Sequence, residues 1–242
     1  MSTQEVDTTQ EKRSLKRFHG EAGSQGVEEA GFSYQSASMM AVGSDWHGVG
    51  ALSGLTSLVT SFLYLQIPSV VRLLGSAKRA VMALCLLDAL TWLPILLVML
   101  LLSSVNPSLL IALWIVNLVP GILLGPVRTT WMVSLTSADK RGKYLGLRLS
   151  INTASYLVSF YAMGYVLQRF SGERVLIGFA IVFAVALVAT LLSFFIYSRI
   201  SEPPHVVQED ESFRFADFLR ETRTRNLGRF VLYTSAFTFT VY

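Results

Sequence analysis

Apolar positions in this chain fall into long, nearly unbroken runs, and short polar segments between them hold most of the charge. Crossing the roughly 30 Å hydrocarbon core of a bilayer takes about 20 apolar residues in a helix. Four runs meet that length with ease: about 49–71, 80–102, 108–130 and 175–198. A fifth, about 147–168, is more polar but still long enough. Hydrocarbon offers no water to satisfy backbone N–H and C=O groups, so each run is predicted to be a helix.

Composition supports that reading. Hydrophobic residues make up 52% of the 242 positions and charged residues 15%, against about 25% charged in an average soluble domain. The formal net charge of +4 is spread over loops between apolar runs, where membrane orientation explains it better than a nucleic-acid surface would. A single cysteine, Cys85, sits inside an apolar run, which excludes a disulfide framework or a cysteine-based metal cluster. The first 30 residues are polar and lack the apolar core of a signal peptide, so insertion is expected to rely on the spans themselves.

The placement of Lys and Arg sets orientation. Segment 72–79 carries Arg72, Lys78 and Arg79, whereas 103–107 carries no charge. Segment 139–148 carries Lys140, Arg141, Lys143 and Arg148; 169–174 has Arg169 and Arg174 offset by Glu173; and 199–229 is again rich in Arg. The alternation places 72–79, 139–148 and 199–229 in the cytoplasm. The N-terminal tail, 1–19, holds Lys12, Arg13, Lys16 and Arg17 and belongs on the same side. An inside tail and an inside 72–79 loop require two crossings between them, yet hydropathy supplies one. A further crossing is therefore predicted at about 20–44.

That stretch is polar for a span. On a helix Glu21, Gln25, Glu28, Phe32 and Gln35 follow steps of four, three, four and three, so they share one stripe. Gly20, Gly23, Gly26 and Gly31 are small enough to let neighbouring helices approach closely. Such a helix can cross if other helices shield it and its polar stripe faces a cavity; a solvated tail ahead of five spans is the competing reading.

Pro68, Pro94, Pro120 and Pro126 lie inside the other spans, where neighbours can compensate the lost hydrogen bonds. Gly121 and Gly125 form a G-x-x-x-G pair beside Pro120, which predicts a kinked helix packed tightly on a partner. After Arg199, SEPPH ends the sixth span. Residues 209–225, within a linker at 201–228, read as an amphipathic helix with acids at its start and arginines at its end. Residues 229–242 begin another apolar run too short to span, and a longer parent protein is expected to complete it.

Three local motifs punctuate this pattern. Between the second and third spans RLLGSAKRA holds Gly75 and the basic pair Lys78-Arg79; between the fourth and fifth DKRGKYLGLR holds Arg141-Gly142 and Gly146; SEPP follows the sixth. In their order and spacing they resemble the N-terminal half of a major facilitator superfamily transporter. The family's first signature reads Gly-x-x-x-Asp-Arg-x-Gly-x-basic-basic. Here one extra residue separates Gly75 from the basic pair, Pro68 stands at the first Gly and Arg72 at the Asp. The resemblance covers about residues 20–242. It implies an all-α integral membrane fold, a six-helix transmembrane bundle over 20–200 with the start of a seventh helix. It also implies alternating access between two such halves about a site near the bilayer midplane, with the C-terminal half of the same transporter, the lipid bilayer and a small-molecule substrate as partners. The expected location is the cell membrane, multi-pass, with the N-terminus cytoplasmic.

Ionisable residues inside spans are functional candidates, since each costs about 2.5–3.5 kcal/mol at a helix centre on insertion scales. Glu28 and Glu29 sit mid-way along the predicted first helix, where a carboxyl can take up a proton or a cation during transport. Gln35 shares their stripe. Asp88 lies two turns into its helix and is expected either to pair with a base or to line the cavity. Asn117 and Arg128 lie on the fourth span; Arg128, near the cytoplasmic end, is expected to snorkel and anchor rather than bind substrate. Trp92, Trp114, Tyr156 and Tyr161 read as packing or interface residues. His19, His47 and His205 lack ligand spacing, and no phosphate loop, nucleophile–base set or cofactor motif is present, which argues against an enzyme, a metal site or a cofactor. The resulting expectation is a secondary transporter moving a small solute, with proton coupling as an option; a non-transporting membrane protein, a truncated remnant or an interaction scaffold, is the alternative.

Overall fold

The computed structural model describes residues 2–64, 67–102, 105–137, 139–170, 172–200 and 233. The Arg72 and Glu173 side chains, the SEPP exit, the amphipathic helix at 209–225 and the run at 229–242 (position 233 aside) lie outside the described residues. Among the described residues every regular element is helical: α1 Ser2–Phe32, α2 Gln35–Ala41, α3 Trp46–Tyr64, α4 Ile67–Leu74, α5 Ala77–Leu101, α6 Pro107–Ser134, α7 Arg141–Arg169, a 3₁₀ turn Gly172–Arg174, and α8 Val175–Ser198. Three of these, α5, α6 and α8, are long and apolar enough to cross a membrane.

The boundaries have local causes. Ser76 is extended and its side chain accepts from the Arg79 N–H, which starts α5. Asn106 does the same for Ser108, with Pro107 in the first turn of α6 where its missing N–H costs nothing. Gly75 turns the chain between α4 and α5 at φ +71°, a conformation that a side chain resists. The run at 49–71 is divided between α3 and α4. The charged segment expected as a loop at 139–148 is instead mostly helix: α7 begins at Arg141, so Arg148 stands two turns inside it. The stretch 20–44 is largely helical, but it breaks after Phe32, and α1 reaches back through the residues assigned to the tail.

α1 lies along α7 and α8, while α5 packs on α6 and α8 and α3 lies against α6. Glycine sets the α1–α7 distance. A Cβ on Gly26 would stand 2.3 Å from the Asn152 carbonyl oxygen and 2.8 Å from the Tyr156 nitrogen, both backbone atoms. On the α8 side, a Cβ on Gly31 would stand 2.7 Å from the Ala186 Cβ. The small residues of α1 are therefore where backbones meet.

α5 presents two stripes. Cys85, Asp88, Trp92, Ile95 and Met99 are buried, whereas Leu86, Leu90, Leu93, Leu97 and Leu100 are exposed. The outward stripe is wholly leucine and the inward one contains the charge, the reverse of a helix on a soluble domain. α8 repeats this arrangement, with Ala186, Thr190, Ser193 and Tyr197 inside and Ile181, Val185, Val188, Leu192 and Phe195 outside.

Two apolar clusters fill the interior. One surrounds Trp92, Trp114 and Phe183, whose rings lie 5.2–5.8 Å apart. The other surrounds Phe18, Trp131 and Tyr197. Each long helix of the core passes from one cluster to the other across polar positions: Glu21 to Glu29 on α1, Asp88 on α5, Asn117 on α6, Thr190 and Ser193 on α8. The polar layer sits at mid-depth.

Candidate functional site

Four helices bring charge into that layer. Glu21 of α1 is fully buried, and its two oxygens are divided between two arginines. Arg128 of α6 donates to Oε1 at 3.1 Å and Arg148 of α7 donates to Oε2 at 2.9 Å. The Tyr197 hydroxyl of α8 donates to Glu21 Oε1 and accepts from Arg128 at 3.3 Å. Arg148 also donates to the Gln25 amide oxygen. A buried carboxylate with this many charge-assisted partners is well compensated, and the same partners tie α1, α6, α7 and α8 together.

Beside this network opens a cavity of about 470 Å³. Five of the sequence-predicted candidates line it: Glu28, Glu29, Asp88, Asn117 and Arg128. The Glu28 and Asp88 carboxyls, both in its wall, are hydrogen-bonded to one another. Glu29 accepts from the Gln25 amide at 2.6 Å and from the Asn152 amide at 3.1 Å. The Asn117 amide donates to the Thr91 hydroxyl at 3.0 Å, and that hydroxyl in turn donates to the Asp88 carbonyl. Asp88 itself is 2% exposed, and its Oδ2 has no hydrogen-bond partner. Phe32, Tyr64 and Tyr156 add aromatic wall.

Several expectations change here. Arg128 does not snorkel: it is 6% exposed and turned inward, because Glu21 stands across from it. The Gly121–Gly125 pair does not seat a partner helix. A Cβ on Gly121 would meet only Asp88 Oδ1, at 3.8 Å, and one on Gly125 would meet nothing within 4 Å; both line the cavity, so they supply space rather than a helix contact. Gln35 leaves the stripe because α1 ends before it; it lies on α2, away from the cavity, with its amide nitrogen unpartnered.

The loop motifs have separate local roles. The Lys78 ammonium donates to the Ser198 and Ile200 carbonyls at 3.3 and 2.6 Å, covering the C-terminal end of α8. Arg79 is exposed, and Arg141 donates to the Thr136 carbonyl at 3.2 Å. Gly142 and Gly146 are exposed and face open space. Trp92 and Trp114 are packing residues, Tyr161 is 74% exposed, and Tyr156 lines the cavity and bonds the Ser33 hydroxyl at 3.1 Å.

Glu21, Gln25, Arg148 and Tyr197 were not among the candidates. Glu21 and Gln25 carried a signal, since they share the polar stripe of α1. Arg148 was concealed by its place in a basic segment, and Tyr197 by its place at the end of the most apolar span.

No protein-family model, curated protein or solved structure matches the chain.

Proposed function

We propose that residues 20–200 form a six-crossing membrane bundle, one half of a secondary transporter of the major facilitator type, and that the mid-depth cavity is its part of the solute path. The observation that carries this reading is the cavity itself, walled by paired carboxyls from α1 and α5 in a bundle whose outward stripes are leucine, isoleucine and valine. Polar groups inside such a bundle are costly to maintain, and here they surround open space rather than fill it. Alternating access requires a second half to rock against this one, and the C-terminal half expected from the resemblance is the natural partner. The protein is then multi-pass in the cell membrane with its N-terminus cytoplasmic, as the positive-inside count requires.

Thiol access tests the reading. Ile122→Cys places a thiol on the cavity wall, and Leu90→Cys places one on the exposed leucine stripe. In native membranes a charged methanethiosulfonate reagent should modify the first and not the second. Protection of both would mean that water does not reach the cavity, and a solute path would be untenable.

A further inference from the structure

The charges around the cavity select among solutes. Three carboxyls line it, Glu28, Glu29 and Asp88, and among the described lining residues Arg128 is the one base. The Arg128 guanidinium, however, is engaged by Glu21 and Tyr197. Glu21, Arg128 and Arg148 together leave one positive charge, while Glu29 carries one negative charge and the hydrogen-bonded Glu28–Asp88 pair, holding one proton between its carboxyls, carries another, so the layer has an excess of one negative charge. An anionic solute would add to that excess and a neutral one would leave it. A cation discharges it.

We infer that the cavity binds a small organic cation, a protonated amine or quaternary ammonium, against the Glu28–Asp88 carboxyl pair in its wall. This deepens the transport reading and rests on it for the cavity being a solute site. Glu29 is already held by two amides, so the Glu28–Asp88 end is where a ligand is needed. The Asp88 Oδ2 supports this independently: an acceptor on a side chain 2% exposed, in the cavity wall, with no donor supplied by the described residues. A buried acceptor without a donor is unfavourable, and a ligand N–H or cationic centre offsets that. Aromatic rings favour an organic cation over a bare ion, since Phe32, Tyr64 and Tyr156 offer ring faces and edges to a diffuse positive charge. About 470 Å³ is also room for a molecule, within the usual range for small-ligand sites. Among the described residues no three acidic, His or Cys side chains are grouped to hold a metal ion.

The test uses three probes of similar shape and different charge on the purified full chain in detergent: benzyltrimethylammonium, benzyl alcohol and benzoate, each titrated calorimetrically. The cation should bind at least about tenfold more tightly than the alcohol, and benzoate should give no saturable heat. Asp88→Asn should weaken the cation about tenfold or more, Tyr64→Leu on the cavity wall a few-fold, and Leu90→Ala on the outer stripe not at all. The rank order of the three probes needs no variant, so it decides even if Asp88→Asn misfolds. Benzoate or the alcohol binding as tightly as the cation would overturn the inference, as would a folded Asp88→Asn with undiminished cation affinity. Those results would leave the thiol-access result standing, whereas protection of Ile122→Cys would remove the transport reading whatever the rank order.

Discussion

Arg128 of α6 reaches Glu21 of α1 at 3.1 Å, with both side chains withdrawn from solvent. The pair spans 107 positions of sequence and holds the most polar helix of the bundle against one of the most apolar. Its energetics are asymmetric. Forming a buried pair gains little over two apolar residues, but removing one partner strands the other charge.

Glu21→Gln should therefore destabilise the bundle by about 3–5 kcal/mol, because two arginines lose their shared counter-charge. The double variant Glu21→Gln/Arg128→Gln should recover part of that loss. Denaturant titration of the detergent-solubilised protein, followed by tryptophan fluorescence, measures both. A single variant as stable as wild type would mean that Glu21 does not hold the arginines.

Gly26 and Gly20 provide a matched comparison on one helix. Alanine at Gly26 would collide with the backbone of α7, so Gly26→Ala should cost at least about 1–3 kcal/mol. Gly20 faces open space, and Gly20→Ala should stabilise by about 0.5–1 kcal/mol through helix propensity alone. Equal effects at the two positions would refute the α1–α7 crossing.

The contrast marks what was legible in the chain. The helical character follows from apolar run length, because a bilayer has one thickness, and three of the runs form helices long and apolar enough to cross, α5, α6 and α8. The glycine-rich, acid-bearing stretch at 20–44 was expected to be a helix from charge parity, and it is helical in two pieces. Direction was not legible. Arg128 lies six positions before the end of α6, close enough to snorkel, and only the position of Glu21 on another helix turns it inward. Gly121 and Gly125 likewise fit helix packing or open space equally well; what decides is whether a helix stands opposite, and the cavity stands there instead. Arg148 looked like an orientation signal because a basic segment and the first turns of a helix have the same composition.

Lys78 carries a distinct expectation. It covers the last carbonyls of α8, so Lys78→Met should fray that end at a cost of about 1 kcal/mol. Hydrogen exchange should accelerate at residues 196–200 and stay unchanged at 179–186, and Lys78→Arg should restore part of the protection. Uniform acceleration along α8 would point to a global role instead.

Sidedness is open to direct measurement. Asp139→Cys and Gln168→Cys both place thiols on exposed positions, at opposite ends of α7, while native Cys85 is buried. An impermeant maleimide should label position 168 in intact cells and position 139 only after inversion of the membrane. Labelling of both from the same side would exclude α7 as a crossing.

The close seating of α1 on α7 also has a consequence for how the protein is made. Gly26 of α1 leaves the ribosome 126 residues before Asn152, against which it packs. At ordinary elongation rates that is a delay on the order of 10 s. During it a helix bearing five glutamates has neither the greasy surface to enter lipid alone nor the arginines of α6 and α7 that neutralise Glu21. If α1 crosses as proposed, it is held at the insertion machinery or inserted late, and it is seated well after it is made.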